Sequence, residues 1–140
     1  MNKLAKAIQI ASTAHINQTD KSGKPYILHP LWVMNQVRHL GEDYMIVAVL
    51  HDVIEDTNIT WDILQKEFNT EIIVALYALT HTKEIDYDTY IKNISLNPIA
   101  KAVKLRDLEH NSRITRLKGL RKKDIDRLEK YHRAYLYLSN

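Results

Sequence analysis

Apolar and polar positions alternate with the period of an α-helix along almost the whole chain. Leu4, Ile8, Ala11 and His15 fall on one stripe of a first helix over about 2–17. The polar stretch from Gln18 to Pro25, punctuated by Gly23 and Pro25, breaks that period and reads as a loop. Pro30 suits the first turn of a second helix, which carries Leu31, Val33, Met34 and Val37 and stops at Gly41. Glu42 and Asp43 favour the start of a third, whose run from Met45 to Leu50 is apolar nearly all round, so it passes through a core. Thr60 is placed to cap a fourth helix ending near Phe68, and Asn69 opens a fifth with Ile72, Ile73, Leu76 and Leu79 inside. A polar break over 80–85 precedes a sixth helix over 86–95. Pro98 opens a seventh that reaches about Arg113, and after a break at Gly119 a last amphipathic helix covers 122–138. The pattern predicts an all-α, single-domain bundle of about seven to eight helices spanning 1–140.

Composition narrows this picture. Only three glycines and three prolines in 140 residues agree with a helical chain long enough to bury a core. There is no cysteine, so any metal would be held by imidazole and carboxylate. No apolar leader follows Met1 and no apolar run approaches the roughly 18 residues of a membrane span, which predicts a cytoplasmic protein with no membrane partner. The net charge of +3 and pI near 9.0 allow an anionic partner. Basic residues concentrate late, but Asp124, Asp126 and Glu129 interrupt them and few aromatics are interleaved. That stretch reads as a solvated face, and nucleic acid is not expected as a partner.

The chemistry concentrates in Leu50-His51-Asp52-Val53-Ile54-Glu55-Asp56-Thr57. On a helix, residues four apart share a face, which would stack Glu55 over His51 and Asp56 over Asp52. Four polar groups ending an apolar helix are costly without partners. A divalent cation on His51 and Asp52 would satisfy them and leave Glu55 and Asp56 to handle water. His15 and Asp107 are the other histidine and carboxylate set against apolar surroundings. Taken singly each has a plainer reading: a packed, hydrogen-bonded His15, a solvated Asp107, a surface helix end at Glu55 and Asp56. An all-nitrogen-and-oxygen site suits Mn, Fe, Co, Ni or Zn.

Four ordered blocks carry a resemblance. They are Ala14-His15-x-x-Gln18; Lys21-Ser22-Gly23-Lys24-Pro25-Tyr26-Ile27-Leu28-His29-Pro30; His51-Asp52-Val53-Ile54-Glu55-Asp56-Thr57; and Val103-Lys104-Leu105-x-Asp107-x-x-His110-Asn111-x-Arg113. With their spacing, over about 8–117, the chain resembles the HD-domain metal-dependent phosphohydrolases, in particular the hydrolase domain of RelA/SpoT-type enzymes and the small alarmone hydrolases. The resemblance implies His15, His51, Asp52 and Asp107 as ligands of a metal, manganese or another divalent transition metal, with Glu55 and Asp56 as the water-handling pair. It implies a small nucleotide substrate, guanosine tetra- or pentaphosphate, losing pyrophosphate from its ribose 3′ position. Lys21 and Asn111 match positions near that nucleotide, Ser22 is a further candidate for binding it, and Lys104 and Arg113 read either as phosphate-binding groups or as solvated helix charges. His29 and Pro30 are read as structural, the imidazole fixing the loop.

Two departures bear on substrate. Asp20 stands where the alarmone hydrolases carry an arginine against the base, and a carboxylate cannot stack as a guanidinium does. Ile114 replaces a hydroxyl residue. The 140 residues leave no room for a synthetase domain, so control by a second active site is not expected. Two alternatives therefore stand beside the alarmone reading. One is hydrolysis of another nucleotide: an adenosine alarmone, a nucleoside monophosphate or a cyclic or dinucleotide signal. The other is a non-catalytic module binding nucleotide or nucleic acid.

Overall fold

The computed structural model describes residues 2–140. Its α-helices are α1 (Lys3–Ala14), α2 (Leu28–Gln36), α3 (Glu42–Leu50), α4 (Val53–Asp56), α5 (Trp61–Glu67), α6 (Thr70–Leu79), α7 (Tyr87–Ser95), α8 (Pro98–Asn111) and α9 (Lys122–Ser139). Two 3₁₀ turns, Arg38–Leu40 and Ile114–Arg116, complete the set. Among the described residues no strand forms; one isolated bridge, Thr19 to Pro25, lies in the loop before α2.

The helix starts follow from local chemistry. Side-chain oxygens of Asn2, Thr60, Asn69, Asp86 and Asn97 accept the backbone N–H three residues on, each satisfying one of the orphan donors of a first turn. Pro98 follows Asn97 at the first position of α8. Gly41, at φ 119°, makes the sharp entry into α3 that a residue with a side chain rarely adopts.

Helix α3 is the axis of the bundle. Ile46, Val47, Ala48, Val49 and Leu50 are all buried, because α1, α2, α6 and α8 pack around it. Each of the Ile, Val and Leu side chains contributes about 1.5–3 kcal/mol when withdrawn from water. Truncating Leu50 to alanine would cost about 2–5 kcal/mol. The same burial delivers whatever follows Leu50 into the interior of the molecule.

The second helix, expected to stop at Gly41, ends at Gln36 and passes into the 3₁₀ turn Arg38–Leu40; two further boundaries differ from the pattern-based expectation and affect the site. Helix α1 ends at Ala14, so His15 is its C-cap rather than a residue of its stripe. The third helix is not continuous through the acidic cluster. His51 and Asp52 form a turn between α3 and α4, where the His51 N–H reaches the carbonyl of Ala48, three residues back, at 3.4 Å. Helical bonding resumes with the Asp56 N–H on the Asp52 carbonyl at 3.1 Å. The Thr57 hydroxyl then closes α4 by donating to the Val53 carbonyl at 2.6 Å.

Candidate metal centre

Helix α3 brings His51 in from one side, α8 brings Asp107 from another, and the start of α2 brings His29 from a third. All three side chains are buried. They form the group of possible ligand atoms within 4.8 Å of one another among the described residues. His29 Nε2 lies 2.8 Å and His51 Nε2 3.2 Å from Asp107 Oδ1. Asp52 joins from the turn after α3, with Oδ2 3.1 Å from His51 Nε2 and 3.9 Å from His29 Nε2. Donors that share one ion at bond lengths of about 2 Å stand apart by distances of this order.

The hydrogen-bond pattern asks for a positive charge at the centre. His51 Nδ1 pairs at 2.6 Å with the Ala48 carbonyl, which can only accept, so that nitrogen carries the proton. Nε2 of the neutral ring would then face two carboxylate oxygens with a bare lone pair. A proton or a cation must stand between them. Burial opposes charge on His51, but Asp52 and Asp107 outweigh it and raise the ring's pKa well above its ordinary value. Burial likewise pushes Asp107 up, and Lys104, His51 and His29 together pull it well below the usual carboxylate range. The donor set, two imidazoles and two carboxylates, fits a divalent transition metal.

Further shells hold these four in place. Lys104 Nζ donates to Asp107 Oδ2 at 2.9 Å and Asn111 Nδ2 to Asp107 Oδ1 at 3.0 Å. The Tyr26 hydroxyl donates to Asp52 Oδ2. Burial and then Asp52 raise that phenol far out of its normal range, so it stays a donor. His29 Nδ1 pairs with His110 Nδ1 at 2.8 Å.

His15 does not join the group. Its ring hydrogen-bonds through Nδ1 to Gln18 Oε1 at 2.7 Å, packs on Tyr26 with centroids 5.0 Å apart, and leaves Nε2 buried with no hydrogen-bond partner among the described residues. Gln18 in turn donates to the Asp56 carbonyl at 2.7 Å, so His15 braces the acidic turn from behind. The physical reason is the early end of α1: as a C-cap, His15 faces Gln18 and Tyr26. His29, read from sequence as a loop-fixing histidine, stands where His15 was expected.

Glu55 and Asp56 follow one turn beyond the centre. Glu55 reaches the surface, yet surrounding atoms shield its carboxylate and raise its pKa; the His81 N–H that it accepts works against this, and Asp52 and Asp56 add to it. Asp56 is raised for the same leading reason, and next by Asp52.

Beside this floor lies a cation-rich rim. A cavity of about 140 Å³ is lined by Lys21, Asn111, Arg113, Arg116, Arg127 and Tyr131 with Asp20 and Asp124. A wider cleft of about 720 Å³ adjoins it through Asp20, Arg113 and Arg116 and includes Ser22, Trp32 and His110. Lys21, Ser22, Asn111 and Arg113 therefore all reach a cavity wall. Lys104 is half-buried, and its ammonium is engaged by Asp107 Oδ2 at 2.9 Å rather than free for a phosphate. Arg127 and Tyr131 went unread in the sequence; they sit four apart on one face of α9, a spacing that flags a shared surface but not what it faces.

Asp20 has a definite task in the loop. Its Oδ1 accepts from the Ser22 N–H at 2.9 Å, the Ser22 hydroxyl at 2.7 Å and the Lys24 N–H at 3.0 Å. Its Oδ2 lies 3.6 Å from Arg116, whose other nitrogen donates to Asn111 at 2.9 Å. A carboxylate so engaged organises the loop; it is not free to meet a base edge.

A family model described as HD domain matches residues 7–110, which include every member of the centre. The chain belongs to the HD-domain family. Among curated relatives of this HD domain, guanosine-3′,5′-bis(diphosphate) 3′-pyrophosphohydrolase of Borreliella burgdorferi is 34% identical over 89% of this chain and 20% of its own length. The probable GTP pyrophosphokinase of Mycobacterium leprae is 33% identical over 79% of this chain and 16% of its own. The HD chain thus spans a fifth or less of either relative. A solved structure described as a metazoan ortholog of SpoT that hydrolyzes ppGpp superposes with a TM-score of 0.82 at 22% identity, over 99% of this chain and 85% of that one, and shares the fold. Among the described residues, no helix is long and apolar enough to cross a membrane.

Proposed function

We propose that this HD domain is a metal-dependent hydrolase that removes pyrophosphate from the 3′ position of guanosine tetra- or pentaphosphate, with manganese as its cation and His29, His51, Asp52 and Asp107 as its ligands. The observation that carries this reading is the convergence of buried His29, His51 and Asp107 on one point, with half-buried Asp52 beside them and Glu55 and Asp56 a turn beyond. The names of the curated relatives support the substrate class.

When bound, a divalent cation supplies Lewis acidity and makes water a nucleophile near neutral pH. Glu55 and Asp56 orient the attacking water and take its proton, a role suited to carboxyls poised above their ordinary values. Lys104 offsets the charge of Asp107 and fixes its carboxylate plane. Lys21, Arg113 and Arg127 offer cationic donors to nucleotide phosphates along the rim, and Asn111 and Ser22 offer hydrogen bonds there.

A second reading, hydrolysis of a different nucleotide, is favoured by Asp20, which gives the loop a carboxylate tied into its own backbone. Manganese-reconstituted turnover across guanosine and adenosine alarmones, monophosphates and cyclic nucleotides separates the two. The expected outcome is pyrophosphate release from the guanosine alarmones, abolished by chelator and by Asp52→Ala. Turnover confined to another member of the panel establishes the second reading. Salt-sensitive nucleic-acid binding without turnover would instead make the chain a binding module.

A further inference from the structure

The two imidazoles of the centre are oriented in different ways. His51 is held by a backbone carbonyl, which no substitution can remove. His29 is held by a side chain: its Nδ1 lies 2.8 Å from Nδ1 of His110. The rings are nearly parallel, at 14°, with centroids 5.0 Å apart. That combination of a short N···N contact and a wide centroid separation places the rings edge to edge, so the hydrogen bond runs in their shared plane. His110 is itself clamped face to face on Trp32, with centroids 4.4 Å apart and planes at 14°, and Arg113 covers Trp32 at 4.6 Å.

One hydrogen bond between two imidazole nitrogens has one proton to share. A His29 ring that uses Nε2 toward Asp107 and the cation must carry its proton on Nδ1, which leaves His110 Nδ1 as the acceptor and puts the His110 proton on Nε2. We propose that His110 is a positioning residue of the metal centre: it accepts the Nδ1–H of His29, fixes that ring's tautomer and plane, and is kept in register by Trp32. Outer partners of this kind orient a metal-binding imidazole, and their loss typically costs about 10–100-fold in metal affinity.

This inference rests on the metal-centre reading above, and the test separates the two. Manganese affinity is measured by calorimetry for the wild type, His110→Phe, His110→Gln and Asp107→Ala, with thermal unfolding of each metal-free protein. Phenylalanine keeps the ring on Trp32 and removes the acceptor, whereas glutamine restores an acceptor. We expect His110→Phe to weaken manganese binding about 10–100-fold with little change in metal-free melting, and His110→Gln to recover most of the loss. In the zinc-loaded protein, ring-nitrogen chemical shifts should show His29 protonated at Nδ1 in the wild type and a mixture of tautomers in His110→Phe. Wild-type affinity in His110→Phe, alongside lost binding in Asp107→Ala, overturns the role of His110 and spares the metal centre. Undiminished binding in Asp107→Ala overturns both.

Discussion

The floor of the site and its rim use the same residue types, histidine, aspartate, lysine and arginine, under opposite conditions. On the floor, His29, His51 and Asp107 are almost wholly buried, and each is held by partners that are themselves packed. On the rim, Lys21, Arg113, Arg116 and Arg127 reach solvent on long side chains, Arg116 beside Asp20 and Arg127 paired with Asp124. A buried charge left without its partner costs several kcal/mol, whereas an exposed pair contributes about 0–1 kcal/mol. Geometry is therefore enforced at the floor and left adaptable at the rim, a division that the proposed hydrolysis of a nucleotide would use for attack at phosphorus and for substrate choice.

The sharpest way to break this contrast is at Asp107, which touches His29, His51, Lys104 and Asn111 together. Asp107→Ala should reduce turnover to background and abolish metal binding. Because largely enclosed Lys104 loses its counter-charge and two buried imidazoles lose their shared partner, it should also destabilise the metal-free protein by about 2–4 kcal/mol in denaturant titrations. Wild-type stability in that variant would mean that the floor is no more demanding than the rim.

Glu55 and Asp56 lie between the two regimes. Replacing Glu55 by glutamine should lower kcat by about 10²–10⁴-fold and leave KM and metal affinity near their wild-type values. The sign of the pH dependence follows from the raised pKa of Glu55. A base must be deprotonated, so the rate should fall as pH drops through a value above that of an ordinary carboxylate. Glu55→Gln should flatten that acid limb. An unchanged limb in the variant would move the proton-accepting role to Asp56.

At the rim, Asp20→Ala should raise KM several-fold with a smaller change in kcat, because the loop loses the acceptor of three hydrogen bonds and Arg116 loses its ion pair. Burial alone would raise Asp20, but the hydrogen bonds from Ser22 and Lys24, with Arg116, lower it instead. Its contribution to stability is thus complete above the unfolded carboxylate's pKa and is lost as pH falls through the lower folded value. Acid unfolding of wild type and Asp20→Ala should accordingly converge at low pH.

How much of this was legible in the chain divides along the same line. The helices were readable because their caps and apolar stripes are local: Asn69 and Thr60 mark starts that the backbone uses. Within the site, His51 and Asp52 stood out as polar groups ending an apolar run, and the fold brings Asp107 to them. His29 was not legible from local chemistry. Its partner Asp107 lies 78 residues away, and a histidine before a proline at a helix start looks alike whether it steadies a loop or faces a carboxylate. His15 drew attention by continuing a stripe that the backbone abandons one residue earlier. The turn at His51 and Asp52 was hidden for a related reason, since both residues keep right-handed backbone angles and only the hydrogen bonding changes.

The smallest expected effect tests whether the rim includes α9 at all, since its basic run read as a solvated face. Arg127 and Arg133 lie on that one helix. Arg127 pairs with buried Asp124 and lines the cavity beside Lys21 and Asn111, whereas the Arg133 side chain is 64% exposed and lies 4.0 Å from Glu129, away from that cavity. If the cavity takes the nucleotide's phosphates, Arg127→Ala should raise KM about twofold, the value of one solvent-reaching ionic contact of about 0.5 kcal/mol, with kcat held. Arg133→Ala should leave both constants unchanged. Equal effects from the two would mean that α9 acts through overall charge alone, and raising the salt concentration would then erase both together, since screening removes a diffuse field before it removes a contact.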